Sequence, residues 1–350
     1  MPADPEEAPG WAAIDGALEP IYGSEEPPFH YAPSAPAFLS NDPLNGISVY
    51  KSNAFGRDHW HFITYGFSEL YDKETDDPST SGYGFELTIR VARDASEAEP
   101  SPWTFNFLQN LGRYVFSSGN VFEPGHYMNL NSPIAIGSET KIRGIAFMAE
   151  PELPKIATPN GSVEFIQIVG ITEDEIRAIK RWDGRRFIES ALEKLAGGVT
   201  DLARDSLLED EEFARVVEAR AEAEGSSTAI LFPSVAHWQQ HDGRTTVTLG
   251  ANGVRDLVEV FPRRLRYGRD LTIMAGNTAI RFAPADQPAV DALDQDNLDI
   301  HITPKAAEEV QAAVRPVAGT YRFPSIPEVE IVVERSPIKD RDGNVVEWIG

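Results

Sequence analysis

The chain has 350 residues, of which 41% are hydrophobic and 25% charged, and its formal net charge is −24. This length suffices for about two domains, because a single hydrophobic core rarely grows beyond roughly 250–300 residues. The acidic surplus argues against nucleic acid as a direct partner, and the absence of cysteine excludes disulfides and thiolate chemistry.

The sequence contains no apolar run of the roughly 18 residues that a membrane span requires. Its first segment, MPADPEEAPGWAAIDG, is acidic and lacks the apolar stretch of a secretory signal. We therefore expect a cytoplasmic protein that has no membrane partner.

Helices and strands succeed one another irregularly in the first half. Helices are predicted at GWAAIDGALEPIYG and at SPWTFNFLQNLGRYVFSSG, where Ser101 can cap the start and Gly119 can end the helix. Strands are predicted over 46–51, 59–67 and 83–91, and at IRGIAFMAEP and GSVEFIQIVGI. Two helices follow: TEDEIRAIKRW, which opens with the capping-box pair Thr172 and Glu175, and GRRFIESALEKLAGG. Without regular alternation, this order predicts an α+β fold.

The second half is predicted to be mostly strands. These are TTVTLGANGVRDLVEVF, EVEIVVE and the hairpin RDLTIMAGNTAIRFA, which turns at Gly276 and Asn277. One helix, TPKAAEEVQAAVRP, interrupts them, and Thr303 can cap it.

The acidic segment 206–225 separates the two halves. We expect a linker or helix there between domains over 1–205 and 226–350, each a mixed or antiparallel sheet with helices packed on it. The alternative is a surface helix inside a single domain.

His59 and His61 alternate with aromatic residues on a predicted strand, so both imidazoles should point to one face. A zinc or copper site would need a third ligand, such as His30 or His126. Two histidines alone more often serve as hydrogen-bonded structural residues. We therefore predict neither a metal nor a cofactor.

Motifs for enzyme chemistry do not stand out. GYGFEL has no third glycine and continues as a strand, so it fails as a dinucleotide fingerprint. The acidic loop 72–77 lacks the spacing of a calcium-binding loop. The basic segment RRLRYGR, 263–269, is predicted to alternate its charges on a strand and to pair with acidic residues, or else to bind a carboxylate or phosphate ligand. We predict that the protein is not an enzyme.

Several blocks of the sequence resemble the Suppressor of fused family. They are HWHFITYGFSELY followed by a polar loop and GYGFELTIR, then NDPLNGISVY, LGRYVFSSGNVFEPGH, FIQIVGIT, AGGVTDLAR, SSTAIL and RLRYGRDLTIMAGNTAIRF. The resemblance spans roughly residues 11–335 and both predicted domains. The composition suggests a bacterial two-domain homologue.

The resemblance implies a structural role for the histidine-rich block and no enzymatic activity. The residues of this structural signature are His59, Trp60, His61, Gly66, Tyr71, Gly84, Phe85 and Glu86. Animal members sequester a transcription factor of Hedgehog signalling by clamping an extended peptide between two domains, which adds a strand to a sheet.

Three positions correspond to the peptide-binding residues of the family. Tyr114 matches the tyrosine of the RYVF block, His126 stands where an acidic residue follows that block, and Asn252 falls near a second acidic contact, on a predicted strand. Because His126 and Asn252 stand in place of acidic residues, we expect this chain to bind a different ligand.

Two functions remain open for a protein-binding module of this kind. Bacterial members are thought to act as immunity proteins, and an acidic surface would suit a basic toxin, because complementary charge speeds association. The alternative is a regulator that holds a transcription-factor peptide. An enzyme of unknown chemistry is a remote third possibility.

Overall fold

A computed structural model describes residues 7–23, 27, 29–32, 42–339 and 344–350. The chain divides into two compact units. The first unit comprises Met1–Ile176 and Gly184–Asp210, and the second comprises Arg177–Asp183 and Glu211–Gly350.

Helices of both units are amphipathic and mostly short. Their bounds are α1 Pro9–Tyr22, α2 Pro102–Ser118, α3 Glu173–Arg181, α4 Gly184–Ala191, α5 Glu211–Glu224, α6 Ala251–Val260, α7 Pro262–Leu265 and α8 Pro304–Ala313. Short 3-10 turns occupy Ala54–Gly56 and Leu207–Glu209. None of the described helices is long and apolar enough to cross a bilayer.

Strands of the first unit form one eight-stranded mixed sheet. They are β1 Phe29–Tyr31, β2 Gly46–Ser52, β3 His59–Tyr65, β4 Thr80–Ala92, β5 Tyr127–Asn129, β6 Ile142–Ala149, β7 Ile156–Thr158 and β8 Gly161–Thr172. The order is β1-β2-β3-β4-β8-β6-β5, with β7 also pairing β8. Strands β4 and β8 pair in parallel, whereas β3 pairs with β4, and β6 with β8, in antiparallel orientation.

Both faces of this sheet are covered. Trp60 and Phe62 of β3 enter a core that also holds Leu108 and Val115 of α2. The alternate residues Ile63 and Tyr65 pack with α1 on the other face. Every residue of β3 is buried as a result.

Strands of the second unit form separate smaller sheets. They are β9 Ile230–Leu231, β10 Ala236–His241, β11 Arg244–Gly250, β12 Leu271–Ala275, β13 Thr278–Pro284, β14 Ala289–Ala292, β15 Asn297–Ile302, β16 Gly319–Arg322, β17 Val329–Glu334, β18 Ser336–Lys339 and β19 Val345–Ile349. The sheet orders are β10-β11-β17-β16, β14-β15-β13-β12-β9 and β18-β19. Helices α6 and α8 contribute Val254, Leu257 and Val310 to the core.

The α+β fold class predicted from the sequence is confirmed, as are several local signals. Gly119 ends α2 in a left-handed conformation, and the hydroxyl of Thr303 accepts the N–H of Ala306 to cap α8. The hairpin β12–β13 turns at Gly276 and Asn277, between paired Ala275 and Thr278.

The first turns of two helices differ in detail from the prediction. Ser101 makes no side-chain cap on α2. At α3 the carboxylate of Glu175 accepts the N–H of Thr172, which is half of a capping box, while the Thr172 hydroxyl donates to the carboxylate of Asp174.

The prediction of strand structure after residue 250 was wrong. Residues 251–260 form α6, because Val254, Leu257 and Val260 recur at helical spacing and are buried together. Asn252 therefore lies in the first turn of a helix and not on a strand. The basic segment likewise contains α7 and the turn after it.

Helix α5 packs within the second unit. Phe213, Val217 and Ala221 recur every fourth residue and are buried. The unit boundary lies between Asp210 and Glu211, so the expected linker 206–225 contains the last residues of one unit and a structural helix of the other.

Candidate functional site

The histidine-rich strand β3 is structural in its contacts. The Nδ1 atom of His61 lies 2.7 Å from the hydroxyl of Tyr22 on α1. His59 donates from Nδ1 to the carbonyl of Arg57 at 2.7 Å. Burial lowers the pKa of both imidazoles, and the neighbouring Arg90 adds to this effect for each. Both side chains are thus held neutral inside the first unit.

Arg90 of β4 pairs with His61 of β3 and is the centre of a buried charged network. Its side chain has no exposed surface, and its guanidinium forms ion pairs with Glu150 and, at 2.7 Å, with Glu152. It also donates to the amide oxygen of Gln167. His61 Nε2 lies 3.7 Å from the Glu150 carboxylate. We call Arg90, Glu150, Glu152, Gln167 and His61 the buried charged network.

Glu86 forms a second buried polar centre in the middle of β4. Its carboxylate accepts hydrogen bonds from the hydroxyls of Thr64 and Ser68 and from the backbone N–H groups of Gly66 and Ser68. Burial raises the pKa of Glu86, and these hydrogen bonds oppose that shift. The contacts fasten the turn after β3 to β4, as expected of a structural residue.

The remaining signature residues surround this turn. Gly66 has φ 134°, and a Cβ there would lie 2.9 Å from the backbone nitrogen of Asn45. Gly84 also has a positive φ, and the ring of Phe85 is buried against Phe67. Tyr71 differs from the others, since its side chain is exposed.

Histidines outside β3 do not converge on it as further ligands. His30 bonds through Nδ1 to the hydroxyl of Ser48, and the Nδ1 of His126 accepts the N–H of Glu123 at 3.3 Å. Across the described ranges, no three His, Asp or Glu side chains are grouped so that they could hold a metal ion.

An exposed group of apolar side chains lies at the C-terminal end of α2. Tyr114, Phe116 and Val121 are 38%, 44% and 42% exposed, which is unusual for such residues so close together in sequence. The ring of Phe116 packs edge-on against Tyr83 at 5.1 Å. We call Tyr83, Tyr114, Phe116 and Val121 the aromatic surface.

Buried rings below support the aromatic surface. Tyr114 stacks on Phe122 at 5.8 Å, and Phe122 stacks on Phe147 of β6 at 4.2 Å. The hydroxyl of Tyr114 accepts a hydrogen bond from the amide of Asn120 at 2.9 Å. The exposed edge of the tyrosine is therefore held in a fixed orientation.

Two of the three predicted binding residues lie in the first unit. Tyr114 belongs to the aromatic surface, and His126 directly precedes β5, the terminal strand of the eight-stranded sheet. The carbonyl of His126 accepts the N–H of Phe147, which links it to the rings under Tyr114. Asn252 lies in the second unit, where its N–H donates to the hydroxyl of Ser336.

The sequence prediction did not identify Phe116 and Val121 as exposed residues, or Tyr83 as the partly buried ring that packs against Phe116. For Phe116 and Val121 the signal was present in the segment RYVFSSGNVF, where five large apolar residues flank a helix end and only part of them can face the core.

The basic segment pairs with acidic residues, as the simpler of its two interpretations expected. Arg263 contacts Glu218 at 2.8 Å and Glu222 at 2.9 Å, and Arg266 contacts Glu222. These pairs join α5 to α7 and to the residue that follows α7, within the second unit. We call Arg263, Arg266, Glu218 and Glu222 the surface charged network.

Comparisons with known proteins agree with the resemblance seen in the sequence. Residues 40–205 match the family described as Suppressor of fused protein (SUFU). The Suppressor of fused homologues of Homo sapiens and Mus musculus are each 33% identical over 236 residues, which cover 62% of this chain. The chain spans about half the length of these relatives, since the match covers 48% of each.

Solved structures show the same relationship. Drosophila Suppressor of Fused superposes with a TM-score of 0.78 at 21% identity, covering 95% of this chain and 99% of that one. A chain of the Sufu-Fu complex superposes with a TM-score of 0.54 at 29% identity, covering 60% of this chain and 97% of that one. The family's sequence is thus matched over residues 40–205, and the fold of its Drosophila member is matched over nearly the full length of this chain.

Proposed function

We propose that this protein is a non-enzymatic protein-binding module that binds and neutralises a basic protein partner, in the manner of an immunity protein. The observation that carries the proposal is the aromatic surface. Aromatic side chains that are half exposed yet held rigid by rings beneath them are the usual anchors of protein interfaces. The solved complex named Sufu-Fu supports protein binding as the general activity of the family.

Charge supports a basic partner. The net charge of −24 creates a field that attracts a cationic surface and raises the association rate, more so at low salt. The aromatic surface would then supply affinity, while the acidic residues around the molecule would supply speed and selectivity.

The second candidate function is that of a regulator that sequesters a transcription factor through an extended peptide. Strand β5 favours it, because β5 ends the sheet order and follows His126 directly. A peptide could pair with this terminal strand by β-augmentation, with its side chains reaching toward Tyr114. His126 in place of an acidic residue indicates a peptide different from that of the animal proteins.

Affinity capture from the source organism, with the product of the neighbouring reading frame tested as a purified partner, distinguishes the two. We expect a partner whose association rate falls steeply as salt rises, and whose affinity falls about 30-fold or more with Tyr114→Ala, as for an interface anchor. Leu293→Ala removes an even more exposed apolar side chain from the second unit and should leave the affinity within about threefold.

The effect of Tyr114→Ala and the binding of a linear peptide together identify the binding mode. Binding that survives Tyr114→Ala unchanged contradicts the aromatic surface as the interface. Binding that a synthetic linear peptide of the partner reproduces, with the same loss in Tyr114→Ala, favours the peptide regulator over the immunity protein.

A further inference from the structure

A polar cleft in the first unit lies apart from the aromatic surface. It has a volume of about 400 Å³ and is lined by Asn53, Arg57 and Asp58 of the loop between β2 and β3, and by Arg93 and Asp94 at the end of β4. Small-molecule sites in proteins usually measure roughly 300–1,000 Å³, so the cleft has room for a small ligand. Its charged lining indicates a polar one.

The loop that forms one wall is strained. Phe55 has φ 63°, a left-handed conformation that is an outlier for a bulky side chain. Strain of this kind costs on the order of 1–3 kcal/mol and persists where the surroundings enforce it, often at ligand sites.

Contacts of Phe55 show what enforces the loop conformation. Its ring packs so closely on Gly197 that a Cβ at that glycine would lie 2.4 Å from a ring carbon. The ring also lies 5.4 Å from the buried Arg90 guanidinium. Arg57 fastens the same loop by an ion pair of 2.7 Å with Asp201. The loop therefore holds the cleft open in a preset shape.

Two guanidinium groups of the cleft retain hydrogen-bonding capacity. The side chain of Arg57 is 48% exposed, and Asp201 engages one of its terminal nitrogens. Arg93 lies over the ring of Trp60 at 5.3 Å and donates to the carbonyls of Asp94 and Glu97. The Nε of Arg93 is buried, so contact with a ligand would fall to the terminal nitrogens of this side chain, which is 15% exposed.

Carboxylates balance these cations within the same cleft. Asp58 is 48% exposed and stands 4.0 Å from the Arg93 guanidinium, too far for a close ion pair, and Asp94 lies beside it. A simple anion would be repelled by Asp58, and a simple cation would be repelled by the two arginines. A ligand with both charges a few bonds apart satisfies each.

We infer that this cleft binds a small zwitterion of the α-amino acid class, in addition to the proposed protein partner. Arg57 and Arg93 take its carboxylate, since guanidinium groups match carboxylates with paired hydrogen bonds. Asp58 takes its ammonium group, and Asn53 contributes an uncharged polar residue to the lining of the cleft.

Calorimetric titration with alanine, glutamate and arginine tests the inference. We expect saturable binding of at least one of them with a dissociation constant of about 1 mM or tighter. For the amino acid that binds, the N-acetyl derivative lacks the ammonium charge and the amide derivative lacks the carboxylate. Each should bind at least tenfold more weakly.

Variants locate the binding. Arg57→Gln should abolish it, whereas Arg244→Gln, a similarly exposed arginine of the second unit, should leave it unchanged. Asp58→Asn should lower the affinity for the free amino acid to that for its N-acetyl derivative, and it should leave the affinity for that derivative unchanged. Because Asp58→Asn keeps the Arg57 ion pair, it separates ligand binding from folding.

Absence of saturable binding for all three amino acids at up to about 50 mM would overturn the inference. Equal binding by the parent amino acid and its two derivatives, or binding unchanged in both Arg57→Gln and Asp58→Asn, would overturn it as well.

Discussion

The two units of the chain use arginine and glutamate in opposite ways. In the first unit, the buried charged network places Arg90 and Glu150 in the interior with no exposed side-chain surface. In the second unit, the surface charged network has Glu218 and Glu222 about half exposed around a largely covered Arg263.

Solvent decides how much each network contributes to stability. Removing both charges of the buried pair from water is costly, and each charge depends on its partner to offset that cost. In the surface network, water stabilises the separated charges almost as well as the partner does. The same pair of residue types is therefore indispensable in one unit and nearly dispensable in the other.

The largest expected effect follows from breaking the buried pair. Arg90→Met leaves Glu150 buried without its cation, so we expect a loss of about 3–5 kcal/mol in the free energy of unfolding. Chemical denaturation followed by circular dichroism measures it. Glu152→Gln, at the solvent-accessible side of the same network, is the matched control and should cost less. Equal losses in the two variants would contradict the comparison.

An intermediate effect comes from acidification of the buried histidines. Burial lowers the pKa of His61 and His59 in the folded chain, while the unfolded chain titrates near 6.5. The unfolded state then binds more protons below that pH. Stability is complete above about pH 6.5 and should fall as pH drops, by up to about 1.4 kcal/mol per pH unit for each histidine.

Denaturation midpoints between about pH 5.5 and 7.5 measure this dependence. His61→Asn removes one titrating group and should reduce the slope below pH 6.5, even where it lowers the stability at pH 7.5. An unchanged slope in this variant would show that His61 is not the source.

The smallest effect belongs to the surface charged network. Arg263→Gln should cost about 1 kcal/mol or less, and the difference from the parent protein should shrink as salt rises from about 0.05 to 0.5 M. Thermal unfolding at several salt concentrations measures it. A loss as large as that of Arg90→Met, insensitive to salt, would remove the contrast between the two units.

Sequence patterns predicted the elements better than they predicted where charge would be buried. Local sequence was enough to predict the α+β class, the β12–β13 hairpin and the Thr303 cap, because each depends on residues that are close together in the chain. Asn252 was misplaced because the pattern TTVTLG continues into GANG without a recognised stop, although Val254 and Leu257 already follow helical spacing.

Arg90 shows what no local pattern could supply. In the strand GFELTIRV it resembles an ordinary surface arginine at a strand end. Its burial depends on Glu150 and Gln167, which lie far along the chain and meet it only when the sheet has formed. The aromatic surface is an intermediate case, since Tyr114 was identified from the family block while Phe116 and Tyr83 needed the packing.

The parallel pairing of β4 with β8 also constrains how the protein is made. Residues 85–89 pair with 164–168, and Ala92 donates its N–H to the carbonyl of Thr200. During translation, about half of the chain must leave the ribosome before β4 has both of its neighbours, β3 and β8. Such non-local pairing slows folding and exposes strand edges meanwhile. Nascent chains of this protein should therefore depend on chaperones until residue 200 has emerged, and most of the second unit, Glu211–Gly350, is synthesised only after that point.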